Sequence, residues 1–172
     1  MSDLHDLVGT ELGPTPWLEM TQDRINLFAE ATGDHQWIHM DREAAAAGPF
    51  GTTIAHGFLS LSLLVPFLAE VLPAREGFAM GINYGLNKVR FISPLPVGSR
   101  IRARFKVESV EEVAGGEQLT FAATVEREGA EKPVCVAEWL VRYVHLRRSS
   151  RHRPGSCLGE RSGSSGRTPT SS

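Results

Sequence analysis

An acidic residue and two histidines lie within a short stretch in the first quarter of the chain. Residues 33–39 read GDHQWIH and contain Asp34, His35 and His39. On a continuous helix, Asp34 and His39 would point roughly 140° apart, whereas in a loop both can turn toward one point. A carboxylate and an imidazole that hold the same water molecule can move protons in both directions near pH 7. The pair therefore predicts acid–base chemistry on a bound water.

Two helices are predicted on either side of this stretch. Thr21 is a suitable N-cap for a helix over about 21–32, and Gly33 stands where a helix-terminating glycine is expected. Asp41 is a suitable cap for a second, alanine-rich helix over 42–47. The catalytic pair is thus expected in the loop between the two helices.

A third helix, over about 57–71, is the most hydrophobic part of the chain. It is apolar on nearly every side, which is typical of a buried helix. Pro66 is expected to bend it or to remove one internal hydrogen bond.

After residue 79 the hydrophobic period changes from 3.6 to 2, which indicates β-strands. Two short sequences predict hairpin turns: Gly-Gly at 115–116 and Gly-Ala at 129–130. Because each strand has one apolar face, we expect the buried helix to cover that face, which gives an α+β fold. The predicted strands are 17–20, 80–92, 101–107, 119–125 and 134–143.

The composition indicates one globular domain over residues 1–146. The chain has 172 residues, 41% hydrophobic residues and a net charge of −2, so nothing global predicts binding to nucleic acid. Residues 147–172 contain six Arg and one Glu among many Ser and Gly, which predicts a disordered basic tail.

The location of the protein is predicted from what the sequence lacks. Cys135 and Cys157 are the only cysteines, so a structural disulfide is not expected and the reducing cytoplasm is the simplest compartment. We see no signal peptide and no membrane span. Neither a metal-ligand cluster nor a phosphate-binding loop is recognisable, so no metal and no cofactor are expected.

Three motifs together resemble a known family. Thr32-Gly33-Asp34 followed by Ile38-His39, the later Ala55-His56-Gly57, and the strand over 83–91 are similar to the MaoC-like, or (R)-specific, enoyl-CoA hydratases. The resemblance covers about residues 8–146. It implies a hot-dog fold, in which a curved antiparallel sheet wraps around a central helix, and it implies a homodimer.

The resemblance also implies a reaction. Asp34 and His39 would activate a shared water that adds to trans-2-enoyl-CoA and forms (R)-3-hydroxyacyl-CoA, or they would catalyse the reverse dehydration. Gly57 is the expected oxyanion residue, because its amide lies in the first turn of a helix and a glycine lets a ligand oxygen approach closely. Coenzyme A would then be part of an acyl-CoA substrate.

The sequence departs from the family pattern in two places and offers three candidate substrate contacts. Gln36-Trp37 replaces the usual Asn-Pro, and Val65 stands where some members have a serine. Trp37, His56 and Asn87 are candidate substrate contacts, although for His56 a structural role in capping the helix, holding the loop or packing is favoured.

Two other functions remain open. A hot-dog thioesterase would be expected to carry a carboxylate near the start of the buried helix, and residues 55–58 contain none. A non-catalytic acyl-binding module would tolerate alanine at Asp34 and His39. Three arginines on the predicted strands are candidates for contact with a coenzyme A phosphate, but we expect them mainly to be solvated: Arg90, Arg102 and Arg104.

Overall fold

The computed structural model describes residues 4–72 and 78–145. Within these ranges the chain forms one six-stranded antiparallel sheet and five short α-helices, so the α+β prediction is confirmed. The tail predicted from residue 147 lies outside the described residues. The helices are α1 (Gln22–Thr32), α2 (Trp37–Met40), α3 (Arg42–Ala46), α4 (Gly57–Ser62) and α5 (Leu64–Val71). The strands are β1 (Glu11–Leu12), β2 (Leu18–Glu19), β3 (Phe78–Phe91), β4 (Arg100–Val113), β5 (Gly116–Arg127) and β6 (Cys135–His145).

The long strands are joined as the turn signals predicted. The sheet order is β1-β4-β5-β6-β3, and β2 also pairs with β4. Gly115 and Gly129 have φ angles of 82° and 70° in the two hairpin turns, a conformation that glycine adopts without steric cost. β3 pairs with β6 and therefore lies at one end of the sheet.

The alternation in β4 separates a core face from a polar face. Its apolar side chains from Ile101 to Val107 are at most 1% exposed, and one of them, Phe105, meets Phe121 of β5 and Trp139 of β6. On the opposite face Arg102 and Arg104 bind Glu126 of β5 at 2.7 and 3.0 Å. These two arginines therefore already have a carboxylate partner.

The helix caps follow the sequence, but the loop between them does not. Thr21 accepts a hydrogen bond from the Arg24 amide, and Gly33 ends α1 with a φ of 77°. Asp41 accepts from two amides of α3. The stretch expected to be a loop contains the additional short helix α2. Asp34 precedes this helix and His39 lies on it.

The single helix predicted over 57–71 is divided into α4 and α5. The break falls at Leu63, one turn before Pro66, which lacks the amide hydrogen that would continue the helix. The expectation that the helix is buried on every side is wrong. Phe58 is 66% exposed and Val65 is 47% exposed, so one face of the helix pair remains uncovered.

No helix in the part of the chain that the structure describes is both long and apolar enough to cross a membrane.

Candidate active site

The turn after α1 brings the predicted pair together. Asp34 lies just past the left-handed Gly33, and its carboxylate accepts a hydrogen bond from the Gln36 amide at 3.4 Å. His39 follows on α2 and His56 precedes α4. One carboxylate oxygen of Asp34 and one ring nitrogen of each histidine all lie within 4.8 Å of one another. Asp34 and His39 thus converge as predicted, although His39 lies on the short helix α2 and not in a loop, and His56 is a third member of the cluster.

The hydrogen bond of His39 fixes which ring nitrogen is a base. Its Nδ1 lies 2.7 Å from the carbonyl oxygen of Ile54. A carbonyl only accepts, so Nδ1 carries the hydrogen and the neutral ring keeps its lone pair on Nε2. This is the arrangement that a general base requires.

The surroundings of His39 favour its neutral form. The side chain is buried, and burial is the main cause that lowers the pKa of His39 below its usual value. The neighbouring His56 also lowers this pKa, whereas the Ile54 carbonyl and the Asp34 carboxylate raise it. The net direction is downward, so the imidazole stays neutral and able to accept a proton at pH 7.

His56 holds the loop that carries Asp34. Its Nε2 donates a hydrogen bond to the Asp34 carbonyl oxygen at 2.9 Å and lies 3.9 Å from a carboxylate oxygen of the same residue. Its ring stacks on His39 with centroids 3.7 Å apart and also contacts Phe28. The side chain makes no capping hydrogen bond to α4. Of the structural roles expected for His56, the structure shows packing, and the loop that its hydrogen bond holds is that of Asp34 and not the oxyanion loop at Gly57.

The same three residues fit a metal ion poorly. Two imidazoles that coordinate one ion must aim their in-plane lone pairs at it, whereas the rings of His39 and His56 are stacked at an interplanar angle of 27°. In His56 the nitrogen that lies 3.9 Å from the Asp34 carboxylate is Nε2, which donates its hydrogen to a carbonyl oxygen and therefore has no lone pair for an ion. The geometry suits proton transfer better than metal binding.

Gln22 joins three segments around His39 and was not predicted to matter. Its side-chain amide donates to the carbonyl oxygen of His39 at 2.8 Å, and its oxygen accepts from the buried Thr53 hydroxyl at 2.6 Å. The backbone amide of Ile54 in turn donates a hydrogen bond to the carbonyl oxygen of Ile38 at 3.0 Å. No spacing in the sequence relates residues 22, 39 and 53, because these contacts exist only in the folded chain.

A cavity of about 320 Å³ opens beside His39. Gly57 lies in its wall, where a Cβ atom would lie 3.0 Å from the Phe91 ring, so a larger residue would require that ring to shift. The lining residues are mainly apolar, with a few polar groups: His39, Phe50, Ile54, Ala55, Gly57, Ser60, Phe91, Ile92, Ser93, Pro94, Leu95 and Val134.

Two of the predicted substrate contacts lie elsewhere. Asn87 is exposed and donates to Glu138 at 2.6 Å. The register of β3 against β6 shifts between Leu86 and Lys88, which displaces Asn87 from the side that strict alternation predicts. Trp37 is 46% exposed, and its ring lies against Gly48. The structure does not bring either residue to the cavity beside His39.

Comparisons with known proteins identify the family. Residues 3–131 match the family model described as MaoC like domain. The chain belongs to the MaoC-like family. It is 55% identical over 145 residues to 3-hydroxyacyl-thioester dehydratase Z of Mycobacterium tuberculosis, a match that covers 84% of this chain and 95% of that protein. It is 46% identical over 142 residues to Nodulation protein N of Rhizobium meliloti, covering 81% and 88% of the two chains.

A solved structure relates the fold of this MaoC-like chain to that of a hydratase. R-hydratase PhaJ1 from Pseudomonas aeruginosa, in its unliganded form, has a TM-score of 0.65 and 27% identity, and the match covers 81% of this chain and 83% of that one. The hot-dog fold expected from the resemblance is thereby confirmed. In it, α5 contacts β4 and α4 contacts β6, so the helix pair lies against the core face of the sheet.

Proposed function

We propose that this MaoC-like protein is a hydro-lyase that adds water to a trans-2-enoyl thioester to form the (R)-3-hydroxyacyl thioester, or that runs the reverse dehydration. The class of reaction agrees with its membership of a dehydratase family. The observation that carries the proposal is the convergence of the Asp34 carboxylate and His39 beside an apolar cavity.

In the proposed mechanism Asp34 and His39 hold one water between them. Asp34 accepts a hydrogen bond from one O–H group of the water and so orients it, and this hydrogen stays on the oxygen. The neutral Nε2 of His39 removes the other proton as the oxygen bonds to C3. The electrons of the double bond then move toward the thioester oxygen, and His39 returns its proton to C2. Positioned acid–base groups of this kind contribute about 10²–10⁴-fold to rate.

The thioester oxygen gains negative charge during this addition and needs a hydrogen-bond donor. We assign this role to the Gly57 amide, which is at the first position of α4 and therefore has no acceptor within its helix. Gly57 and His39 line the same cavity, so one substrate can reach both. Proton transfer by Asp34 and His39 requires no metal or cofactor, and coenzyme A would enter only as part of an acyl-CoA substrate.

We also propose that two copies of the chain form a homodimer through β3. This strand is 14 residues long and within the described chain pairs only with β6, so its other edge is open. Five of its large apolar side chains are more than 40% exposed: Met80, Ile82, Tyr84, Leu86 and Phe91. Long apolar edge strands invite pairing, and a two-fold contact would close this edge. The cytoplasmic location expected from the cysteine content stays a prediction.

The reaction can be tested with purified full-length protein and crotonyl-CoA. We expect the absorbance of the conjugated thioester to fall, and chiral analysis to identify (R)-3-hydroxybutyryl-CoA as the product. Release of free thiol is measured in parallel, because the structure places the Asp34 carboxylate near the start of α4, where a thioesterase would need one. Thiol release without hydration, or binding without turnover, would contradict the proposal.

A further inference from the structure

Ser60 carries a buried hydroxyl group that lacks a hydrogen-bond partner. The residue lies on α4 and is only 1% exposed, and its Oγ has no protein donor or acceptor within reach among the described residues. Buried polar side chains are nearly always hydrogen-bonded, so each exception calls for an explanation. Ser60 also lines the cavity that contains His39 and Gly57.

Two nearby serines show that this lack of a partner is specific to Ser60. Ser93 lines the same cavity, but its hydroxyl donates to the carbonyl oxygen of Pro133 at 2.7 Å. Ser62 lies two residues further along the chain, is exposed and donates to the carbonyl oxygen of Phe58 at 2.7 Å. Of these three hydroxyl groups, Ser60 alone is free to bind a ligand.

The position of Ser60 on α4, three residues after Gly57, puts its side chain on the same face of the helix as Gly57. Residues three apart on a helix lie on the same face, and helical side chains lean toward the start of the helix. The Ser60 side chain thus leans toward the turn that contains the Gly57 amide. Both groups line one cavity, so a single ligand atom can lie close to both.

We propose that the Ser60 hydroxyl is a second oxyanion donor, which hydrogen-bonds the thioester oxygen of the substrate together with the Gly57 amide. This inference rests on the proposed hydratase function. As the water oxygen bonds to C3, charge moves onto the thioester oxygen, and a neutral donor binds it more strongly in the transition state than in the bound substrate. No proton leaves Ser60 during the reaction.

The test compares Ser60→Ala with Ser62→Ala in crotonyl-CoA hydration. We expect Ser60→Ala to lower kcat on the order of 10²-fold, which is the effect of losing one oxyanion donor, and to raise KM about threefold to tenfold, because the bound substrate loses the same hydrogen bond. Ser60→Cys keeps the side-chain size but donates weakly, so we expect it to behave like Ser60→Ala. The control Ser62→Ala should stay within about twofold of the parent, since its hydroxyl group binds a backbone carbonyl and lies outside the cavity.

A second readout separates this inference from the proposed function. Butyryl-CoA has the thioester oxygen but no double bond, so its binding can be measured whether or not the protein catalyses hydration. We expect Ser60→Ala to bind it about threefold to tenfold more weakly than the parent, a smaller loss than in kcat because the carbonyl bears less charge. Failure of hydration in the parent protein would overturn the proposed function, and this binding comparison would still decide the contact.

Two results would overturn the role of Ser60. One is a Ser60→Ala variant with unchanged kcat, unchanged butyryl-CoA binding and raised thermal stability, as expected when an unsatisfied hydroxyl is simply removed. The other is a Ser60→Ala variant whose activity returns to that of the parent at high pH. That result would mean that Ser60 acts by changing the protonation of His56, whose Nδ1 is also buried without a partner. The inference requires that kcat fall at low pH over the same pH range in Ser60→Ala and in the parent protein.

Discussion

His39 meets two separate requirements of a general base. Its bond to the Ile54 carbonyl directs the free lone pair to Nε2, and its burial against His56 keeps the ring neutral. Asp34 differs, since its side chain is 54% exposed and its position is set by the Gly33 turn and by His56. The proposed pair therefore joins a buried base to a half-exposed acid.

The titration of His39 can be followed by NMR through its ring protons. We expect a pKa below the usual imidazole value of about 6.5, because burial disfavours the charged form. Asp34→Asn should lower this pKa further by removing the carboxylate that raises it, and His56→Gln should raise it by removing a neighbouring ring that lowers it. A His39 that titrates above 6.5 in the parent protein would contradict this description.

The same shift makes stability depend on pH. Below about pH 6.5 the unfolded chain takes up a proton at this position more readily than the folded one. The free energy of unfolding should therefore fall as the pH drops from 6.5 to the pKa of His39 in the folded protein. The fall should be smaller in His39→Gln, which a urea titration at several pH values can measure.

At the residue level the sequence predicted most where the contacts are local. Gly33 marks the turn that directs Asp34, and His39 follows five residues later, so their convergence could be expected. The roles of His56 and Ser60 depend on which atoms meet after folding, and no spacing encodes that. The two serines within the apolar run of α4, Ser60 and Ser62, were nevertheless a signal that sequence reasoning could have used.

The elements around His39 are held together by Gln22. Through it α1 contacts the backbone of α2 and the segment that contains Thr53. α2 is only four residues long and has no side-chain cap at its start, so it depends on such tertiary contacts. We regard Gln22 as a positioning residue for His39.

Replacement of Gln22 should affect both stability and catalysis. Gln22→Met keeps the side-chain length but leaves the His39 carbonyl and the Thr53 hydroxyl without their partner. We expect a loss of about 1–3 kcal/mol in the free energy of unfolding, together with a lower kcat and a nearly unchanged KM. The control Thr53→Val removes one bond and leaves the bond to His39, so kcat should change less. A Gln22→Met variant with full kcat would show that α1 does not position the base.

Element boundaries were predicted well where capping or hairpin signals are strong. Thr21, Gly33, Asp41 and Gly115 are examples. The prediction failed at α2, which lacks a cap residue, and along β3, where register shifts against β6 move Asn87 to the outer face. A β-bulge leaves the alternating pattern readable but changes the side of the sheet on which a residue lies.

At the scale of the whole molecule, the open edge of β3 is the main feature that one chain leaves without a partner. It lies beside the active-site cavity, because Phe91 and Ile92 line that cavity and are 46% and 45% exposed. A second copy on this edge would cover the mouth of the site. The sequence showed a long strand here, but alternation alone does not reveal which strand ends up at the edge of a sheet.

The proposed dimer can be tested by sedimentation equilibrium. We expect the parent protein to be a dimer and the double variant Met80→Lys/Ile82→Lys to be a monomer. The introduced lysines of both chains would bring positive charges into the proposed β3 interface, where they repel each other. Leu27→Lys is a suitable control, since Leu27 is 71% exposed on α1, away from this edge, and should not change the mass. A monomeric parent protein would contradict the proposed assembly.

The most direct test of the proposed mechanism is a double-mutant cycle on crotonyl-CoA hydration with Asp34→Asn and His39→Gln. If the two residues act on one water, each single variant should lose about 10²–10⁴-fold in kcat. The kcat of the double variant should then be only slightly lower than that of the less active single variant. Either single variant retaining more than about a tenth of the parent kcat would contradict a shared role. Losses that multiply in the double variant would contradict it as well.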